Sequence, residues 1–304
     1  MTFSLAHLSD LHLPPPSDAL TIRQAHIKQT LAVLSWRRKR HRIHSWRPEA
    51  ALRADIAAHA PDHLAFTGDL TNFAHPAEFA AARRYLEGFG DATGVSVVPG
   101  NHDLTTKLPL QQSLCQWQPW FEGDAPIEKP HGTPFPFVRR RGPVAVIGLS
   151  SAIQTRVFSA AGSLGPDQLG RLAPLLDRLA AEGLFRVVLI HHPPVIGPGG
   201  ARKALRDRAA LCTILARHGA ELVLSGHHHL TRLQPIPGPQ GPIATFSVPA
   251  ALAGQPRPEY AGWHLHRVTP ETGGWRLETE LRRYDPGQDR FHTVGDWRIR
   301  VVAQ

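Results

Sequence analysis

The stretch Val95-Ser96-Val97-Val98-Pro99-Gly100-Asn101-His102-Asp103 is a short strand-forming run that breaks at Pro-Gly and hands over three polar side chains. The same grammar recurs along the chain. Phe3 to Leu8 runs into Ser9-Asp10-Leu11-His12, and His63 to Thr67 runs into Gly68-Asp69. Val187 to Ile190 runs into His191-His192-Pro193, and Leu222 to Leu224 into Ser225-Gly226-His227-His228-His229. Between these strands, Pro76 to Phe89, Pro166 to Ala181 and Asp207 to His218 read as helices, the second with Leu169, Leu172, Leu176 and Leu179 at helical spacing. Strands alternating with helices predict an α/β core. From Pro242 onward the pattern changes to alternating runs, Trp263 to Val268, Trp275 to Arg282 and Trp297 to Val302, parted by Gly273-Gly274 and Pro286-Gly287. Residues 242–304 are therefore expected to be antiparallel strands that complete a second sheet.

With 304 residues, 42% of them hydrophobic, the chain can bury a sizeable core. No apolar run approaches the roughly 18 residues of a membrane span. The 26 Gly and 28 Pro, with only 19% charged residues, exclude a coiled coil and a disordered tail protein. No fixed-period repeat and no long linker is present, so residues 1–304 read as one domain. Cys115 and Cys212 are too few for a disulfide framework or a thiolate zinc site, so any metal would be held by nitrogen and oxygen, for which 19 His are available. The opening MTFSLAHLSD has no basic segment leading into an apolar stretch, and a cytoplasmic location is expected.

A carboxylate and a histidine two residues apart at a strand end can turn toward one cation, because residues i and i+2 share a face. Asp10 and His12 have that spacing, and His227 and His229 repeat it. Together with Asp69 after Gly68, Asn101 and His102 after Gly100, and His191 closing another strand, they read as a metal centre. In this order the pattern Asp-x-His, Gly-Asp, Gly-Asn-His-Asp, His, Gly-His-x-His resembles the calcineurin-like metallophosphoesterase superfamily, from Asp10 to His229.

The resemblance implies an α/β (α+β) sandwich of two mixed β-sheets flanked by helices, with a dinuclear site at the strand ends. Carried over position by position, it implies one ion on Asp10, His12, Asp69 and His229 and a second on Asp69, Asn101, His191 and His227, with Asp69 bridging. The cofactors would be two divalent metal ions, and manganese, iron and zinc suit this donor set alike. Two cations about 3.5–4 Å apart lower the pKa of a bridging water, and the resulting hydroxide would attack phosphorus in line. His102 lies outside the implied ligand set and would stabilise or protonate the leaving oxygen. Some relatives place an Asp three residues after the bridging Asp, where it would orient that histidine. This chain has Asn72 there, a neutral partner that supports an imidazolium less well. His192 and His228 are expected to point away from the ions, Asp103 to fix its turn, and His264 and His266 to be surface or packing residues.

His191-His192-Pro193-Pro194 and Gly68-Asp69-Leu70-Thr71-Asn72 look like the branch of bacterial cyclic-nucleotide and glycerophosphodiester phosphodiesterases. That implies a metal-dependent phosphoric ester hydrolase acting on a phosphodiester. The runner-up is a lipid-linked pyrophosphohydrolase of the UDP-2,3-diacylglucosamine type at the membrane surface, which usually carries Arg where this chain has His102. A DNA-repair-type nuclease shares Gly-Asn-His-Asp, but basic residues gathered on one arm, rather than along a groove, argue against nucleic acid. A non-catalytic scaffold is disfavoured because all seven ligand positions are filled.

That basic arm is the remaining feature. Of 34 basic residues 29 are Arg, and Trp36 to Arg47 holds six of them without one acid, within a net charge of +9. The arm falls in the long interval between Asp10 and Asp69, where residues 21–60 read as an inserted helical hairpin. Leu20, Ile27, Leu31 and Leu34 share one helical face, and Leu52 and Ile56 mark a second helix beginning near Pro48. Its tip is open to three readings. It can touch anionic lipid through Trp36, Arg37, Arg38, Lys39, Arg40, Arg42 and Trp46, placing the protein at the inner membrane face; it can hold a polyanionic substrate; or it can be a solvated arm.

Overall fold

The structure is a computed structural model that describes residues 1–20, 27–106, 108–124, 134–256 and 258–302. Its strands are β1 (Phe3–Leu8), β2 (His63–Phe66), β3 (Val95–Val97), β4 (Phe137–Arg141), β5 (Val144–Gly148) and β6 (Phe185–Leu189), then β7 (Leu222–Ser225), β8 (Arg232–Leu233), β9 (Ala244–Ser247), β10 (Gly262–Glu271), β11 (Gly274–Asp285) and β12 (Arg290–Val302). The helices are α1 (Ile27–Ser35), α2 (His41–Ile43), α3 (Glu49–His59), α4 (Pro76–Glu87), α5 (Gln118–Phe121), α6 (Pro166–Ala181) and α7 (Arg208–His218).

Alternation along the strands sets up the layers. In β5, β6 and β7, Val144, Val146, Phe185, Val187, Leu189, Leu222 and Leu224 point into the core between two sheets. The residues between them, Ala145, Ile147, Val188 and Val223, join Leu172, Leu176, Leu179, Leu211 and Leu215 of α6 and α7 in a second core. Covered on both faces, these strands read as unbroken apolar runs. The sheets are β12-β11-β10-β1-β2-β3 and β4-β5-β6-β7-β9-β8. Each is mixed: β1, β2 and β3 are parallel, β10 to β12 antiparallel, while β5, β6, β7 and β9 are parallel with β4 and β8 antiparallel at the edges. Phe185 of β6 meets Trp275 of β11 across the interface, with ring centroids 5.6 Å apart.

Two expectations are corrected. Strands β10 to β12 do not complete the second sheet; they extend the one that carries β1, because β10 pairs antiparallel with β1, and only β9 of the C-terminal stretch lies in the other. Of the insertion, residues 21–26 lie outside the described ones, and residues 27–60 are packed on the body, not held away from it as the solvated-arm reading of the tip would have them. Helix α3 buries Leu52 and Ile56 in the main core and anchors Asp55 to Trp263 Nε1 at 3.0 Å and to Arg282 at 2.6 Å. In α1 the face through Ile27 and Leu31 is exposed, and Val33 is the buried residue, packed with Trp36 and Phe73.

Of the two readings of His264 and His266, surface or packing, the structure shows packing. With His7, which pairs directly with His264 across β1 and β10, they lie fully buried on the inner face of the first sheet under Phe246. Burial holds all three imidazoles neutral; Arg283 adds to the effect on His264, which is pushed down to about 3. The unfolded chain binds a proton at each near pH 6.5, whereas the folded chain does so only at far lower pH. Their contribution is therefore complete above pH 6.5 and drains as pH falls, by up to about 1.4 kcal/mol per pH unit for each. The melting temperature is expected to drop steeply between pH 7 and 5, and less steeply in His264→Phe. A wild-type melting temperature level over that range would contradict this account.

Candidate metal centre

Each candidate ligand lies just past the end of a strand, and the backbone there is unusual. Asp10, His12, Asp69, His227 and His229 have φ of +52°, +42°, +55°, +72° and +55°. Left-handed backbone is uncommon outside Gly and is tolerated best by Asn, Asp and His. The pairs Asp10/His12 and His227/His229 thus converge through tight turns beyond β1 and β7, not by sharing a strand face. The turns pack closely. A Cβ on Gly226 would lie 1.8 Å from Ser9 Oγ, and one on Gly100 would lie 2.2 Å from Asp69 Oδ1.

The side chains meet in one buried cluster. His229 Nε2 is 3.1 Å from Asp10 Oδ1 and 3.4 Å from His12 Nε2, and His12 Nε2 is 3.8 Å from Asp69 Oδ2. His191 Nε2 lies 3.4 Å from Asp69 Oδ2 and 3.2 Å from Asn101 Oδ1. His227 packs its ring 5.1 Å from that of His191, donates its backbone N–H to Asp10 Oδ2 at 2.9 Å, and places Nε2 3.0 Å from the Lys203 carbonyl. All seven residues named from the sequence are brought together.

The donor set asks for cations. His191 Nδ1 donates to the Thr67 carbonyl at 2.6 Å, which leaves the Nε2 lone pair facing a carboxylate and an amide oxygen. Without a cation the cluster is satisfied only by an added proton. Burial opposes that proton, but the Asp69 carboxylate outweighs it, and the His191 pKa is pushed up to about 9. Burial likewise opposes ionisation of Asp69, yet His191 and His102 hold it well below the carboxylate range. Oxygen and imidazole donors in this arrangement fit a pair of divalent ions.

His102 sits beside the cluster rather than in it. Its ring meets that of His12 edge-on at 4.9 Å, and its backbone N–H donates to Asp69 Oδ1 at 2.7 Å. Its Nδ1 is held not by the Asn72 side chain, as expected, but by the Asn72 backbone carbonyl at 2.8 Å; Asn72 Nδ2 is spent on the Leu13 carbonyl. Burial, and then the Arg40 guanidinium, lower the His102 pKa to about 4. Asp103 accepts the backbone N–H groups of Asp69, Thr71 and Gly100 at 2.8–2.9 Å and so fixes both turns. The His192 nitrogens are engaged by Ser151 Oγ and the Ala160 carbonyl, at 2.8 and 3.0 Å.

Residues 3–230 match the family described as calcineurin-like phosphoesterase. The chain belongs to that family. As a calcineurin-like phosphoesterase it is a phosphoric ester hydrolase, and its family and donor set support binding of divalent metal. It is 28% identical over 284 residues, 91% of this chain and 92% of the other, to a probable cyclic nucleotide phosphodiesterase of Synechococcus. It is 29% identical over 173 residues to a cAMP/cGMP dual specificity phosphodiesterase of Mycobacterium tuberculosis, covering 56% of this chain and 49% of that one. A dimetal phosphatase from Danio rerio has the same fold, with a TM-score of 0.61 over 99% of both chains at 12% identity. Among the described residues, no helix of this phosphoesterase is long and apolar enough to cross a membrane.

The insertion supplies residues that sequence reading did not single out. Past α1, Trp36–Arg40 continue as a π-helical turn, and the chain then lies across the site. It is pinned there by backbone bonds from Gly254 to the Ile43 carbonyl at 2.8 Å and from Ser45 to the Leu252 carbonyl at 3.3 Å. His44 is buried against the cluster, its ring 4.5 Å from that of His12 and 5.6 Å from that of His229, and Arg40 Nη2 reaches His12 Nδ1 at 3.0 Å. The lipid-contact set is corrected accordingly. Trp36 is buried against Phe73 and Arg40 faces the site, so only Arg37, Arg38, Lys39, Arg42 and Trp46 of that set are exposed. The basic run flagged this segment; nothing in the sequence distinguished His44 from its neighbours.

Two cavities flank the cluster. One, of about 340 Å³, lies by His102 and Asn101 and is walled by Ala32, Phe158 and Arg202. The other, of about 350 Å³, lies by His229 and His227 and is walled by Lys39, Arg40, His44 and His228. Lys203 borders both.

Proposed function

We propose that this phosphoesterase hydrolyses a phosphodiester, with one ion on Asp10, His12, Asp69 and His229, a second on Asp69, Asn101, His191 and His227, and Asp69 shared. The convergence of these donors, with the His191 lone pair facing two oxygens, carries the reading. Two bound divalent ions would polarise the phosphoryl group and supply the nucleophile from water at neutral pH. The protein's own groups orient the rest. Thr67 and Thr71 carbonyls fix the His191 and His12 rings, and the Asn72 carbonyl fixes His102 toward the leaving oxygen. Cavities on both sides of the cluster suit a phosphorus bearing two substituents, and they support a diester over a monoester. The relatives' names point the same way.

In manganese buffer, bis-p-nitrophenyl phosphate and cyclic AMP are expected to turn over at least about tenfold faster than p-nitrophenyl phosphate. Turnover of the monoester alone would overturn the diester reading. A marked preference for a lipid-linked diphosphate would instead favour the membrane-surface pyrophosphohydrolase, with Arg37, Arg38, Lys39, Arg42 and Trp46 as its lipid contacts.

A further inference from the structure

The cavity beside His229 has a composition that hydrolysis of a simple diester does not require. Its wall includes Lys39, Arg40 and Lys203 and, among the described residues, no carboxylate. The His44 and His228 rings line it beside them. Three cations around a space large enough for a phosphoryl group describe an anion pocket.

Arg40 strengthens the case. His12 Nδ1 lies 3.2 Å from the Thr71 carbonyl and 3.0 Å from Arg40 Nη2. One ring nitrogen cannot donate to the first and accept from the second at once. When His12 uses Nε2 as a metal ligand, Nδ1 carries the hydrogen and donates to Thr71, so Arg40 loses His12 as an acceptor. Arg40 keeps other contacts, and its guanidinium borders the cavity, where an anion can replace this one. A planar fork of donors matches phosphate oxygens bidentately.

We propose that the insertion builds an anion subsite from Lys39, Arg40 and His44, completed by Lys203 and His228, which holds a second phosphoryl group of the substrate. This rests on the phosphoesterase reading of the same site. The substrate class is then a phosphodiester bearing a further phosphate, as a 5′-phosphorylated dinucleotide does, rather than a singly charged mononucleotide.

Two measurements separate the subsite from the reaction. By calorimetry, the manganese-loaded protein should bind inorganic diphosphate, and Arg40→Gln and Lys203→Gln should each weaken that binding by about tenfold, the size of one lost charged hydrogen bond. Arg40→Lys should recover part of the loss. With manganese, kcat/KM for 5′-phosphorylated diadenylate over that for diadenylate should be at least about ten in the wild type and should fall toward one in either variant. Lys203 is an exposed loop residue, so its variant keeps the test valid if Arg40→Gln misfolds. Diphosphate binding untouched by both substitutions, or a wild-type ratio near one, overturns the subsite. Arg40-dependent diphosphate binding without hydrolysis of either dinucleotide would leave the subsite standing and overturn the phosphodiesterase reading.

Discussion

Asp69→Ala is expected to reduce turnover by roughly 10³-fold or more, the equivalent of about 4 kcal/mol of lost transition-state stabilisation, and to strip the protein of metal. Asp69 lies between the two proposed ligand sets. Its Oδ2 is 3.8 Å from His12 Nε2 and 3.4 Å from His191 Nε2, and its Oδ1 takes the His102 backbone N–H at 2.7 Å. Without that carboxylate the two sets of neutral imidazoles would have to hold four positive charges with Asp10 as the one remaining anion in the proposed ligand set. Elemental analysis after dialysis, alongside the rate, gives the readout. Asp69→Asn tests the charge while keeping a side chain that tolerates the left-handed turn. Two tightly bound ions and normal turnover in either variant would show that Asp69 is not the shared ligand.

His102→Ala is expected to leave metal content near normal and to slow hydrolysis by about 10²-fold or more, the usual scale for a proton-transfer group. With a pKa of about 4 in the free protein, lowered by burial and by Arg40, His102 is neutral at pH 7, its Nδ1–H on the Asn72 carbonyl. To act as an acid it must be protonated at Nε2 in the complex, which a bound phosphoryl anion favours. The loss should therefore shrink as the leaving group becomes more acidic, in a series of aryl diesters graded by leaving-group pKa. An equal loss across the series would assign His102 to holding the phosphoryl oxygens instead of protonating the leaving one.

The frame of the molecule was legible because β1, β2, β3, β6 and β7 are apolar runs that stop abruptly at ligand-bearing turns. Their order along the chain shows which polar clusters share a sheet end. What eluded the sequence depended on long-range placement. Strands β10 to β12 alternate in a way compatible with either sheet, and only the register of His7 against His264 decides which one they join. His264 and His266 read as surface or packing residues because their alternation with Leu265 is that of any half-exposed strand, and only the second sheet, through Phe246, decides for packing. In the insertion, Ile27 and Leu31 share an apolar face that is exposed among the described residues, while Trp36, read as a tip residue, packs on Phe73. The roles of Arg40 and His44 arise from backbone bonds to residues 252–254, a distance no local pattern encodes.

The left-handed backbone at Asp10, His12, Asp69, His227 and His229 also limits how such a centre can change over evolutionary time. Glycine would relieve each turn but abolish a donor. Glutamate or glutamine would keep a donor but fits the turn less well and reaches too far. The few side chains that both tolerate this conformation and bind metal are Asp, Asn and His, the types found in the cluster. Conformation and coordination thus filter for the same small alphabet, and single steps out of it lose either the loop or the ion. The surrounding segments, residues 27–60 among them, carry no such double constraint.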